Sequence, residues 1–95
     1  MPTLFRLLGF RFFYRLFDLV SEPCHIHVGD DKRKLCKFWI FRDKTVELAD
    51  FVGFSKRELK RIEKVLLEHI DTICQTYEHD CITNNTSPNY KAKKS

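Results

Sequence analysis

Cys24-His25-Ile26-His27-Val28 alternates small apolar side chains with two imidazoles, and its reading sets the rest of the chain in order. A period of two is that of a β-strand, so Cys24, Ile26 and Val28 point to one side and His25 and His27 to the other. Pro23 fixes an extended approach to this strand, and Gly29-Asp30-Asp31 supplies turn chemistry after it. Beyond the basic run Lys32-Arg33-Lys34, the stretch Leu35 to Phe41 alternates again, which predicts a hairpin. Towards the N-terminus, Thr3 to Leu8 and Phe10 to Leu16 are rich in Phe, Leu and Tyr and are parted by Gly9, as two strands joined by a tight turn would be. Towards the C-terminus, Thr45 to Leu48 reads as a short fifth strand or an extended lead-in.

The helix follows. In Phe54-Ser55-Lys56-Arg57-Glu58-Leu59, Ser55 can accept from the backbone of Glu58 while the Glu58 side chain reaches back, with Phe54 and Leu59 placed as a hydrophobic staple. From that cap, Leu59, Ile62, Leu66, Ile70, Ile73 and Tyr77 recur at three-and-four spacing, flanked by Val65, His69 and Cys74. The fold class expected is α+β: a four- or five-stranded, mostly antiparallel sheet with one long C-terminal helix packed on one face. Residues 1–82 form this domain, and 83–95, rich in Asn, Ser and Lys, read as a disordered polar and basic tail.

Composition narrows the function classes. A folded part of about 80 residues buries roughly 60–65% of its unfolded surface, too little for a deep substrate cavity, so any site is shallow or shared with a partner. Seventeen Lys and Arg against 13 Asp and Glu give a net charge of +4, which favours anionic partners. Cys24, Cys36, Cys74 and Cys81 lack CxxC spacing, and with no secretory segment in evidence reduced thiols in a cytoplasm are expected. Arg6, Arg11 and Arg15 interrupt the apolar N-terminus too often for a signal core or a membrane span. The Asn84-Asn85-Thr86 and Asn85-Thr86-Ser87 sequons carry no meaning without secretion.

If the helix covers the face of Phe10, Phe12, Tyr14, Cys24, Ile26, Val28, Cys36, Phe38 and Ile40, the other face carries Arg11, Phe13, Arg15, His25, His27, Lys37 and Trp39. Cations interleaved with rings suit phosphates and unstacked bases, and the same surface could equally be a solvated or partner-covered sheet face. Lys56, Arg57, Lys60, Arg61 and Lys64 crowd the start of the helix, where its dipole prefers anions; a local rule broken in this way often marks function. The candidate nucleic-acid-binding residues are therefore Arg11, Arg15, His25, His27, Lys37, Trp39, Lys56, Arg57, Lys60, Arg61 and Lys64.

Other chemistries fit the same residues. His25 and His27 could act as base and acid of a metal-independent ribonuclease, with Lys37 or Arg15 stabilising charge on phosphorus. A closed zinc site is not expected, because Cys24 and Cys36 point away from the imidazoles and Cys74, His79 and Cys81 are too loosely spaced. No metal or cofactor is expected. A structural homodimer would use Trp39 and the apolar stretch Leu16 to Val20.

Met1-Pro2-Thr3, Gly9-Phe10-Arg11-Phe12-Phe13, Glu22-Pro23-Cys24-His25-Ile26-His27-Val28, Lys37-Phe38-Trp39-Ile40, Val46-Glu47-Leu48-Ala49 and Gly53-Phe54-Ser55 with Glu58-Leu59 together resemble the small prokaryotic domain-of-unknown-function family 4160. The chain departs from that pattern in its oily Leu16 to Ser21 connection, in Cys24 standing for a second proline, and in the longer link Phe41 to Lys44. The resemblance implies a β-sheet plus helix domain of bacteria or archaea, often encoded beside a protein of the domain-of-unknown-function family 2442 as a toxin-antitoxin-like pair. It assigns no catalytic residue. The function expected is a small intracellular protein of such a pair, binding a cognate protein and RNA or DNA.

Overall fold

The computed structural model describes residues 3–14, 21–30 and 32–93. Five strands, β1 (Thr3–Leu7), β2 (Phe10–Phe13), β3 (His25–Gly29), β4 (Leu35–Ile40) and β5 (Val46–Val52), precede two helices, α1 (Lys56–Glu68) and α2 (Ile70–Thr83). The strands lie side by side in chain order and every pair is antiparallel. β1 and β2 meet at a two-residue turn in which Leu8 and Gly9 both have positive φ, 57° and 79°, the backbone that closes a right-twisted hairpin.

Register sorts the side chains into two sides. Phe12 opposes Val28, Ile26 opposes Phe38 and Val28 opposes Cys36, while Phe13 opposes His27, His25 opposes Trp39 and His27 opposes Lys37. The first set shares one buried cluster with Leu59, Ile62 and Leu66 of α1 and Ile70, Ile73, Cys74, Tyr77 and Cys81 of α2. Strand polarity is therefore as the alternation dictates.

The single long helix expected from Ser55 onward is two helices. His69, at φ −110° and ψ 15°, leaves helical geometry, and its N–H is shared between the carbonyls of Val65 and Leu66. The apolar spacing runs through the break unshifted, and no Gly or Pro marks it, so the pattern reads as one helix. At the break the His69 ring lies 4.9 Å from that of Phe5. The Ser55 cap forms as its sequence dictates: Glu58 N–H donates to Ser55 Oγ at 3.2 Å and Ser55 N–H to Glu58 Oε1 at 2.9 Å.

Two further boundaries move. The fifth strand runs to Val52 rather than Leu48, with Ala49 set out as a bulge where the β4 partner shifts from Asp50 at Lys37 to Leu48 at Phe38. Beyond α2, residues 84–93 lie against the domain: Cys24 N–H donates to the Asn89 carbonyl at 2.7 Å, and the Tyr77 hydroxyl both donates to Asn89 O and accepts from Asn89 N–H. Tyr90 packs its ring on Tyr77 at 5.6 Å, and Lys93 pairs with Asp43 at 2.9 Å. Composition marks this segment as polar, but a backbone can dock through its own N–H and C=O groups without apolar side chains. Among the described residues no helix is long and apolar enough to cross a membrane.

Candidate functional site

Two cationic surfaces were expected, and the structure treats them differently. On the sheet, the side opposite the core cluster carries Arg11, Phe13, His25, His27, Lys37 and Trp39 together, while Arg15 and the Leu16 to Val20 stretch lie outside the described residues. These side chains are locked into one another. Lys37 Nζ lies 2.6 Å from Glu22 Oε1 and 4.3 Å from the centre of the Trp39 ring, which Lys91 Nζ also approaches, at 4.7 Å. Arg11 lies 4.3 Å over the Phe13 ring, which is buried and stacks on His27 at 5.4 Å.

His25 is the most confined of the set. It is 5% exposed, its Nδ1 lies 2.8 Å from the Pro23 carbonyl, which fixes that nitrogen as the donor, and its Nε2 stands 3.9 Å from Glu22 Oε2. The His27 and Trp39 rings meet it edge to face at 5.0 and 5.8 Å. The two imidazoles are adjacent, as the spacing requires, but His25 is packed rather than presented. Glu22 and Lys91, which bind this cluster from outside its strands, were not singled out in the sequence; a carboxylate just before the Pro23 strand and the lysine-rich tail were the available signals.

On α1 the arrangement is the reverse. Lys56, Arg57, Lys60, Arg61 and Lys64 are all exposed and line one shallow hollow of about 530 Å³. At about 100° per residue they fall within an arc of about 140°, centred nearly opposite the buried Leu59, Ile62 and Leu66. Among the described residues no carboxylate pairs with any of the five, whereas Lys34, Lys37, Lys44 and Lys93 are all paired. Glu58, the acidic residue of the first turn, is drawn to the Lys34 ammonium and the Ser55 cap, which hold its carboxyl below the usual range and turn its charge away from the hollow.

The β3–β4 turn braces this helix start. Asp30 Oδ1 accepts the backbone N–H groups of Lys34, Lys32 and Arg33 at 2.9, 2.9 and 3.0 Å, which lowers its pKa to about 2. Lys34, thus placed, reaches Glu58 and lies over the rings of Phe10 and Phe54. The four cysteines are free thiols, and burial pushes the pKa of each upward, Cys36 to about 12. Such thiols are poor nucleophiles and poor metal ligands. Among the described residues no three His, Cys, Asp or Glu side chains are grouped to hold a metal ion.

No match to a curated protein or to a solved structure was found. A family model described as a domain of unknown function, DUF4160, matches residues 9–78, a span that takes in the hairpin of His25 and His27, the bulged fifth strand, the capped start of α1 and most of α2. With that much of its length covered, the chain belongs to the DUF4160 family.

Proposed function

We propose that this chain is a binding module that grips the phosphate backbone of a nucleic acid with the cationic face of α1, as one member of a toxin-antitoxin-like pair with a cognate protein. The observation that carries the reading is the set of five cations on one arc with no carboxylate partner among the described residues, lining one hollow. Unpaired cations keep their full charge for a polyanion and release its counterions on contact, the term that dominates such affinity. If the helices cover the Phe12 and Ile26 side of the sheet, this face of α1 turns outward, and the paired cations on the far side of the sheet contribute little. The confinement of His25 favours binding over acid–base cleavage, since a general base must reach the proton it takes.

The test is fluorescence anisotropy with a labelled 20-nucleotide RNA, its DNA counterpart and a duplex. The double variant Lys60→Glu/Arg61→Glu should weaken binding at least tenfold, and Arg11→Glu/Lys37→Glu less than threefold. Wild-type protein that binds none of the three probes, or the opposite order of the two variants, would end the reading. Cleavage of the RNA that His27→Ala abolishes would establish the ribonuclease in its place.

A further inference from the structure

The two outer strands of the sheet are β1 and β5, and β5 is patterned on both of its sides. Val46, Leu48 and Phe51 oppose Ile40, Phe38 and Cys36 on the core side; Glu47 and Asp50 oppose Trp39 and Lys37 on the other. The bulge at Ala49 is what brings two acidic residues three positions apart onto one side. The outward backbone edge of β5 has no strand partner among the described residues; its Phe51 N–H donates to Asp50 Oδ1 at 2.8 Å, a bond an added strand would have to replace, and Phe51 and Val52 are 50% and 60% exposed.

Edge strands are ordinarily blunted by charged side chains, proline, a bulge or brevity. This one is long, seven residues with an apolar end, and its bulge and the carboxylates of Glu47 and Asp50 guard it against an acidic edge while leaving a basic one admissible, on a chain of net charge +4. We infer that β5 is a docking edge for an extended segment of a partner protein whose side chains alternate apolar and basic. Antiparallel or parallel, an added strand places alternate side chains on the two sides of the sheet. Its basic residues then meet Glu47 and Asp50, and its apolar residues continue the row Val46, Leu48 and Phe51. Charge selects the partner: a lysine- or arginine-bearing strand is attracted to this edge, and an acidic one is repelled. The site is separate from the α1 hollow, so either can fail without the other.

The probe is a labelled, blocked eight-residue peptide alternating lysine and valine, compared with its glutamate–valine counterpart on the full chain. The lysine peptide should bind at least tenfold more tightly and slow amide exchange within residues 46–52. The exposed double variant Glu47→Lys/Asp50→Lys should invert that preference, and exchange protection tells this edge from an acidic peptide seated on α1. Absence of slowed exchange at 46–52, or a preference that the charge swap leaves unchanged, overturns the inference. A concentration-dependent rise in mass with the same protection and no peptide would assign the edge to a second copy of the chain and overturn it as well.

Discussion

Reversing two charges on α1 gives a quantitative test of how many phosphates the helix meets. The cations run from Lys56 to Lys64, and eight residues at 1.5 Å each span about 12 Å. A single strand offers one phosphate per 3.4 Å, so about four lie within that span, whereas a duplex with a charge per 1.7 Å offers about seven and can occupy all five cations. The expected slopes of log affinity against log salt are then about −2.8 on a single strand and about −4.5 on a duplex. Between 50 and 200 mM salt the wild type should lose about 50-fold on the first and about 500-fold on the second. Lys60→Glu/Arg61→Glu leaves three cations, so its slopes fall to about −2.1 and −2.7 and the losses to about 18-fold and 40-fold. Anisotropy titrations at four or five salt concentrations measure all of these. A wild-type slope shallower than about −1, or a slope that the double variant leaves unchanged, would refute the reasoning.

Two further outcomes follow from the geometry. Gly9 and Gly53 have nearly the same positive φ, 79° and 81°, but a Cβ on Gly9 meets nothing within 4 Å, whereas on Gly53 it would stand 2.5 Å from the Arg33 carbonyl oxygen. Gly9→Ala should cost about 1 kcal/mol and Gly53→Ala about 2–4, measured by urea unfolding; equal costs would contradict the close approach. Against pH, Asp30, Asp43 and Glu58 are held below their ordinary 3.8, 3.8 and 4.5 by the Lys34 N–H, the Thr45 hydroxyl and the Lys34 ammonium respectively. Their folded-state pKa values are depressed, so their stabilisation is complete above the ordinary values and is lost as pH falls towards about 2. The Cys36 thiol, raised by burial from 9.0 to about 12, makes stability decline across that alkaline interval, because the unfolded chain gives up its proton first. Urea midpoints from pH 2 to 12 should therefore trace a plateau with two falling ends, and Asp30→Asn should flatten the acidic one.

What could be read from the chain was whatever a local period encodes. The alternation at Cys24 to Val28 put the imidazoles and the core residues on the correct sides, and Ser55 with Glu58 placed the helix start, because each signal lies within one element. The break at His69 was hidden because Leu66, Ile70 and Ile73 keep helical spacing across it. The reach of β5 to Val52 was hidden by the bulge, which interrupts the alternation at Ala49. The state of each cation was hidden too: nothing local says that Lys37 is tied to Glu22 while Lys60 has no carboxylate partner among the described residues, since the first pairing joins residues 15 apart in sequence. Thus which of the described cations share a surface was legible, but their division into paired and unpaired charges required the tertiary structure.

That division carries an energetic consequence. Like charges four residues apart on a helix destabilise it by about 0.2–0.5 kcal/mol per pair, and α1 holds three such pairs: Lys56 with Lys60, Arg57 with Arg61, and Lys60 with Lys64. Lys60 takes part in two of them, and its neighbours three residues away, Arg57 of like charge and Glu63 of opposite charge, offset one another. Lys60→Gln should therefore stabilise the free protein by about 0.4–1 kcal/mol, a rise of roughly 2–8 °C in Tm for a domain of this size, while weakening its hold on nucleic acid. Because the repulsion lies between exposed charges, the gain should shrink at 1 M salt, where the screening length is about 3 Å. A stability gain that persists at 1 M salt would mean that packing rather than charge governs this face. A loss at low salt would mean that Lys60 has a partner within the fold, and the unpaired arc on which the binding argument rests would not exist.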